Sequence, residues 1–171
     1  EPLLAPYEPL LSRLMQIVGI SRLTATAILA EIGTDMRRFP SAKHLASWAG
    51  VAPGNKQSGG MRQHAPTNKG NRHVRAVLAE VVWVISHTQG NYLAAQYHRL
   101  ARRIGKQKAI VAVSHSVLVI IYHLLRDNAD YHDLGADFFV RLDGTRQRDS
   151  AVRRLQALGY NVTLEAVSYT H

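Results

Sequence analysis

The segment "KQKAIVAVSHSVLVIIYHLLRDN", residues 106–128, constrains the fold more than any other stretch of this sequence. It is apolar on nearly every side at helical spacing, and such a helix is stable in water only when other elements cover it. The segment therefore predicts a central helix. Ser114, His115 and Ser116 lie within it without an acid at useful spacing, so core packing is favoured over a hydrolytic site.

Amphipathic patterns on both sides of this segment predict the helices that cover it. Residues 10–33, 69–88 and 91–105 each place apolar residues three and four positions apart. A shorter helix, "AKHLASWAG", is expected to be capped by Ser41, to end at Gly50 and to bury Trp48 in the core. Residues 148–166 predict a short helix that stops at Gly159 and a short β element. The expected fold class is mainly α.

Three regions follow from these patterns and are expected to form one compact unit. Residues 1–40 read as a helix-hairpin-helix region, 41–127 as a helical core that bears a serine loop, and 128–171 as an acidic segment with a helix and strand. The acids Asp127, Asp130, Asp133 and Asp137, at the start of the C-terminal part of the chain, recur at about helical spacing. A solvated acidic face is the favoured interpretation of them, ahead of a metal cluster.

Composition excludes several kinds of chemistry. The chain has 171 residues, 46% of them hydrophobic, and no cysteine. Thiolate catalysis and Cys-based zinc sites are therefore excluded, so any nucleophile must be oxygen or nitrogen. The histidines show no zinc-binding spacing, no phosphate-binding glycine loop of the Walker type is present, and no metal is expected in this chain. Without a signal peptide or an evident membrane span, the protein is expected to be soluble and cytoplasmic.

Positive charge is concentrated in the middle of the chain. Lys and Arg number 21 against 12 Asp and Glu, a formal net charge of +9. The span from Lys43 to Arg126 holds twelve basic residues, one acid, Glu80, and seven of the nine histidines. Because Lys and Arg displace condensed counterions from nucleic acid, this block predicts DNA or RNA binding. A solvated basic face or an anionic protein partner is the second interpretation.

A possible helix-hairpin-helix lies where the first two helices meet. Gly19, Ile20 and Ser21 occupy the hairpin, in which a Gly-apolar-Gly sequence usually presents backbone N–H groups to a DNA phosphate. Here Ser21 replaces the second glycine and could instead cap the second helix. Gly19, Ser21 and the following Arg22 are predicted to bind nucleic acid, and a hairpin used only for packing is the alternative.

The loop "GVAPGNKQSGGMRQHAPTNKGN", residues 50–71, is too long to be a simple connection. It holds Ser58 beside two glycines, which allow the backbone to approach a phosphodiester closely. A serine can attack phosphorus, and nearby cations would stabilise the developing charge. A serine in a flexible turn is the alternative. The residues predicted to contact nucleic acid here are Lys56, Gly59, Gly60, Arg62, Lys69, Asn71, Arg72 and Arg75.

The order of motifs resembles the C-terminal transposase domain of one insertion-sequence family. The likeness runs from Leu14 to Glu165 through the hairpin, "RFPSAKHLASWAGVAPGNKQSGG", "KGNRHVRAVLAEVVW", "GKQKAIVAV" and "LGYNVTLE". Members of this family, the bridge-RNA-guided DEDD recombinases, join a RuvC-like domain with four acids to such a serine-bearing domain. The resemblance implies that Ser58 is the nucleophile that links to DNA. It also implies a guide RNA, a homo-oligomer, and Mg²⁺ held by the RuvC-like acids.

The sequence departs from the family pattern in lacking the RuvC-like domain. The chain is therefore expected to be a C-terminal portion that holds half of a composite site and is inactive alone. The leading hypothesis is a DNA transposase or recombinase that acts through a phosphoserine intermediate. The alternatives are a nucleic-acid-binding module without catalytic activity, in which Ser58 only shapes the loop, and a helical oligomerisation domain.

Overall fold

A computed structural model describes residues 2–53, 56–58, 61–63 and 69–165 of the chain, and for 56–58 and 61–63 the backbone alone. The mainly α fold expected from the sequence is confirmed. The described helices are α1 (Glu8–Leu14), α2 (Arg22–Ile32), α3 (Ala42–Ala49), α4 (Arg72–Ser86), α5 (Tyr92–Ile104), α6 (Lys106–Arg126) and α7 (Phe138–Ala157), and the strands are β1 (Lys56–Ser58) and β2 (Met61–Gln63). Short 3-10 helices span Pro2–Tyr7 and Met36–Arg38.

The chain divides into two units, residues 1–136 and 137–171. The first unit contains α1 to α6 and the whole described hydrophobic core. One core therefore joins the helix-hairpin-helix region of residues 1–40 to the serine-bearing region of residues 41–127. This division lies at Ala136, and the boundaries at 40 and 127 and the single unit expected from the sequence stay predictions.

Helix α6 is the centre of the first unit, as its composition predicts. It packs against α1, α3, α4 and α5, and Val113, Val117, Leu118 and Ile121 are fully buried. Ser114 is also buried. Among the described residues α6 is long and apolar enough to cross a membrane, but half of its apolar window is buried inside the folded unit. A central helix of a packed bundle satisfies the same criterion, so burial within the unit accounts for its composition.

Helix caps define the two ends of α2. The Ser21 hydroxyl accepts a hydrogen bond from Thr24 N, and the Ser21 N–H donates in return to the Thr24 hydroxyl at 2.8 Å. This reciprocal pair satisfies two donors at the start of the helix. It confirms the capping alternative for Ser21. Gly33 ends the helix with its N–H bonded to the Leu29 carbonyl.

Helix α3 begins and ends where the sequence predicts, with two differences of detail. Gly50 ends it in the left-handed conformation, with φ 75°. Ser41 occupies the position before the helix, but its hydroxyl contacts His44 Nδ1 at 2.9 Å and caps no backbone group. The expectation that Trp48 is core is wrong, because its side chain is 38% exposed. One side of its ring packs on Phe39, with ring centroids 5.7 Å apart.

The second unit is built around α7, a helix of 20 residues. It begins at Phe138, inside the stretch that the sequence suggested was polar and irregular, and none of its residues is buried. The expected β element after Gly159 is absent from the described residues 160–165. A single strand needs a partner for its backbone groups, and the described part of the unit offers none.

Candidate nucleic-acid interface

The loop that carries Ser58 contains a short hairpin, which the sequence interpretation missed. Strands β1 and β2 pair in antiparallel register, with Ser58 opposite Met61 and Lys56 opposite Gln63. The register leaves two residues between the strands, and Gly59 and Gly60 lie outside the described residues. The sequence does contain a signal for this hairpin, because two glycines between two short strand-forming segments are typical of a tight β-hairpin. The side chains of Lys56, Ser58 and Arg62 also lie outside the described part.

Close backbone contact joins the two ends of the loop at its base. Gly70 has φ +51°, and a Cβ there would lie 2.3 Å from the Gly50 backbone nitrogen. Only a glycine therefore permits this approach. The Asn71 N–H donates to the Trp48 carbonyl at 3.0 Å. The loop thus leaves and re-enters the helical unit at one fixed point beside the end of α3 and the start of α4.

Asn71 holds three elements together at this point. Its side-chain oxygen accepts hydrogen bonds from His73 N and Val74 N and so caps α4. Its side-chain NH₂ donates to a carboxylate oxygen of Glu31 on α2 at 2.8 Å. These contacts occupy Asn71 in the fold, although the sequence placed it among the residues that contact nucleic acid.

Arg75 fixes the returning limb of the loop. Its guanidinium donates to the Lys69 carbonyl at 3.1 Å, across the first turns of α4. Lys69 and Arg72 are exposed, whereas Arg75 is half-buried. The structure therefore brings Lys69, Arg72 and Arg75 together at the loop base, and their contact with nucleic acid stays a prediction.

Further cations lie at the same end of the helical unit. A cavity beside the loop base is lined by Arg72 and Arg75 of α4 and by Ile110 and Val111 of α6, so the start of α4 lies beside the second turn of α6. The chain enters α6 directly from the end of α5 through Gly105. We call the resulting set the cationic end; its members are Lys69, Arg72, Arg75, Arg102, Arg103, Lys106 and Lys108.

The charges at the starts of α4 and α6 are electrostatically unfavourable in the protein alone. The starts of α4 and α6 carry cations, and neither first turn holds an acid. Because a helix N-terminus bears partial positive charge, cations there are unfavourable and an anion is favourable. Among the described side chains, Arg72, Arg102, Arg103, Lys106 and Lys108 form no ion pair with a carboxylate. The arrangement is suited to an anionic partner.

Sequence reasoning missed the part of the cationic end that comes from α5 and α6. Arg102, Arg103, Lys106 and Lys108 were counted in the basic block but were not predicted to be contact residues. The signal that could have found them is the glycine between two predicted helices, Gly105. A sharp turn there places the end of one helix and the start of the next at the same end of a bundle.

The helix-hairpin-helix residues have structural partners. Gly19 has φ +87°, and a Cβ there would lie 2.8 Å from the Val81 carbonyl oxygen on α4. The Ile20 N–H donates to the Ile17 carbonyl, and the Ser21 N–H is taken by Thr24. Arg22 pairs with Glu8. The hairpin donors at Ile20 and Ser21 are thus already occupied, and packing accounts for Gly19.

His115 lies near the loop base. Burial lowers the pKa of His115 below its ordinary value, and the nearby backbone of Val51 partly opposes this. His115 Nδ1 is buried without a hydrogen-bond partner in the described structure. No group of three or more His, Asp or Glu side chains in the described parts could hold a metal ion.

Comparison with known proteins gives a consistent family. The family model described as Transposase IS116/IS110/IS902 matches residues 11–98. The pilin gene-inverting protein of Moraxella bovis is 35% identical over 125 residues, which cover 70% of this chain and 38% of that protein. The IS110 insertion-element protein of Streptomyces coelicolor is 30% identical over 127 residues, which cover 72% of this chain and 30% of that protein.

The matched region includes the end of α1, the whole of α2 to α4, about half of α5, and the loop between α3 and α4. The chain spans less than two fifths of the length of these relatives. The likeness therefore covers the loop and the N-terminal part of the cationic end. This chain belongs to the IS116/IS110/IS902 family of transposases.

Proposed function

We propose that this chain binds DNA at its cationic end and supplies Ser58 as the nucleophile for strand cleavage and rejoining. The observation that carries the proposal is the position of the loop base. The Ser58 loop is fixed at Gly50, Gly70 and Asn71, beside two helix starts whose cations lack carboxylate partners. A phosphodiester drawn to these cations lies next to the base of the loop that carries the serine.

The proposed chemistry is a pair of transesterifications. The Ser58 oxygen attacks phosphorus, a bond from Oγ to phosphorus forms, and the bond from phosphorus to one sugar oxygen breaks. The serine proton leaves and the released sugar oxygen gains a proton. Attack by a sugar hydroxyl on the phosphoserine reverses these changes and joins a new strand. The energy of the broken bond is kept in the intermediate, so no energy-rich cofactor is needed.

The described residues around the loop base do not form a magnesium site. Glu31 is the carboxylate there, and it accepts a hydrogen bond from Asn71. Magnesium requires several oxygen ligands in octahedral geometry, which one occupied carboxylate cannot supply. In this proposal the metal is held by the RuvC-like acids of the family. Stabilisation of phosphate charge by this chain comes from its cations and helix starts.

A guide RNA and a second copy of the chain complete the proposal. RNA carries the same negatively charged phosphates as DNA, so the cationic end suits either polymer. A composite site, in which Ser58 of one subunit meets the acids of another, requires at least a dimer. The family resemblance supports both statements.

The test is to trap and map the covalent protein–DNA adduct. A full-length relative that carries this chain and a RuvC-like half is incubated with Mg²⁺, guide RNA and a nicked DNA that cannot rejoin. Digestion and mass spectrometry then locate the linked residue. We expect the adduct on Ser58, and we expect Ser58→Ala to abolish it while DNA affinity changes less than about twofold, because only a hydroxyl is removed.

Ser47→Ala is the matched control, since Ser47 is an exposed serine on α3. It should form the adduct at the normal rate. An adduct on another residue, or recombination by Ser58→Ala, contradicts the nucleophile assignment and favours a binding module without catalytic activity. Weak binding with no salt dependence favours the oligomerisation domain instead.

A further inference from the structure

A cavity of about 330 Å³ opens between α4 and α6 beside the loop base. Its volume falls within the range of about 300 to 1,000 Å³ that is usual for ligand pockets. Arg72 and Arg75 lie at the start of α4, on one wall. Arg75 is tied to the Lys69 carbonyl, whereas Arg72 is exposed and forms no ion pair in the described structure. The cavity therefore has a free cation at its edge.

The interior of the cavity is mainly apolar. Aliphatic groups of Val51, Ala79, Ile110 and Val111 line it. A phosphate that entered the cavity alone would lose its hydrogen bonds to water, and the apolar surface would not replace them. This loss of hydration is unfavourable in free energy for a charged group. A flat, weakly polar group is a better occupant. The lining thus favours a nucleobase inside and a phosphate at the edge.

Ser114 supplies one buried polar group to this cavity. Its side chain is 3% exposed and lines the cavity wall. Its hydroxyl forms no hydrogen bond within the described structure. The Ser114 hydroxyl is accessible from the cavity, so a ligand that enters the cavity can form a hydrogen bond with it. A hydroxyl can donate to or accept from the edge of any of the bases.

We propose that this cavity holds one unpaired nucleotide of the bound nucleic acid, with its base against Ser114 and its phosphate on Arg72. The inference rests on the proposed nucleic-acid binding and adds to it a site for an extruded base. Extrusion requires unstacking, which costs least in a single strand or beside a gap. The site therefore predicts a preference for single-stranded or gapped substrates over an intact duplex.

The test uses the chain as it stands and oligonucleotides that contain one 2-aminopurine. This base is quenched when stacked, and no aromatic side chain lines the cavity to quench it again. We expect fluorescence to rise on binding to a single strand or a gapped duplex, and to change little with an intact duplex. Parallel titrations with DNA and RNA strands show which polymer supplies the nucleotide.

Two matched variants test whether the fluorescence change arises in this cavity. Ala76→Leu places a larger side chain in the cavity from an exposed position of α4. Ala30→Leu does the same in a second cavity, of about 300 Å³, which is lined by residues of α1, α2 and their flanks and contains no Arg or Lys. We expect Ala76→Leu to abolish the fluorescence rise and to lower single-strand affinity by about tenfold. Ala30→Leu should change neither.

A third variant covers the case in which Ala76→Leu does not fold. Arg72→Gln changes an exposed side chain and should keep the fold while it reduces both affinity and the fluorescence rise. If Ala76→Leu and Arg72→Gln both behave like wild type while binding stays salt-dependent, the nucleotide site is wrong and the proposed function stands. If the chain binds no nucleic acid at all, both are wrong.

Discussion

The hairpin between α1 and α2 and the cationic end both contain glycine and basic residues, but they differ in what their groups contact. At the hairpin, Gly19 packs on α4, the Ser21 N–H is bonded to Thr24, and Arg22 pairs with Glu8. At the cationic end, Arg72 and Lys106 have no carboxylate partner in the described structure. Unused donors and charges, and not glycine-rich sequence, therefore identify the surface that we propose binds nucleic acid.

The largest expected effect is on stability, from a substitution at Gly19 that tests whether the hairpin serves packing or nucleic-acid binding. Gly19→Ala puts a Cβ 2.8 Å from the Val81 carbonyl oxygen at a positive φ. Backbone strain and overpacking together should lower the free energy of unfolding by about 2 to 4 kcal/mol, measured by urea denaturation. Nucleic-acid affinity of the folded fraction should stay unchanged.

Gly90→Ala is the control for Gly19→Ala. Gly90 has φ +79°, and nothing lies within 4 Å of a Cβ placed there. The Gly90→Ala variant should therefore show the effect of backbone strain alone, a loss of about 1 to 2 kcal/mol in the free energy of unfolding. If the Gly19→Ala variant were as stable as Gly90→Ala but bound nucleic acid weakly, the hairpin would be part of the binding surface.

A smaller effect is expected where the loop base meets α4. Asn71→Ala removes the cap of α4 and leaves Glu31 without its donor. We expect a loss of about 1 to 2 kcal/mol in the free energy of unfolding, measured in urea. Asn91→Ala, which removes the Asn91 cap of α5 far from the loop, should cost about the same. The two variants should differ in function, because Asn71→Ala alone should slow adduct formation.

Equal rates of adduct formation in the two variants would show that the fixed loop base is irrelevant to Ser58. Such a result would remove the geometric support for the proposed function. Binding to nucleic acid should remain near wild type in both, because neither variant changes a charge.

The smallest effect is a pH dependence of stability through His115. Its folded pKa is lowered by burial, so the unfolded chain binds the proton more readily. The contribution of neutral His115 to the free energy of unfolding is complete above the ordinary pKa of 6.5. It is lost as the pH falls below that value. Urea denaturation at pH 7 and pH 5 should show this loss.

A His115→Gln variant should lose less stability between the same pH values. The comparison is needed because other ionisable side chains, His123, Asp130 and His132, line the cavity next to His115. Identical pH profiles for the variant and the wild type would show that His115 does not contribute.

Local patterns predicted most of the helical fold, and the reasons for the failures are tertiary. Apolar spacing located the central helix, and Gly50 and Ser21 marked helix ends, because these signals act over a few residues. The exposure of Trp48 could not be predicted, since it depends on what packs beside α3. The strand expected after Gly159 failed because strand formation requires a partner that a local pattern does not show.

The candidate interface was predictable in part for the same reason. The contacts of Lys69, Arg72 and Arg75 lie close together in the sequence, so the basic loop revealed them. Lys106 and Lys108 join the site only because α4 starts beside the second turn of α6. The place of Ser114 in the cavity wall could be recognised only once its neighbours were known.

The most direct test of the account compares two triple variants with the same change in net charge. Arg72, Lys106 and Lys108 are changed to Gln in one, and Arg22, Arg37 and Arg126, which pair with Glu8, Asp35 and Asp127, in the other. The salt dependence of DNA affinity is then measured for each. We predict that the first variant reduces the magnitude of the log-log slope by about 2.7 units and the second leaves it nearly unchanged. Equal slopes in the two variants would contradict the account, because binding would then follow net charge and not the cationic end.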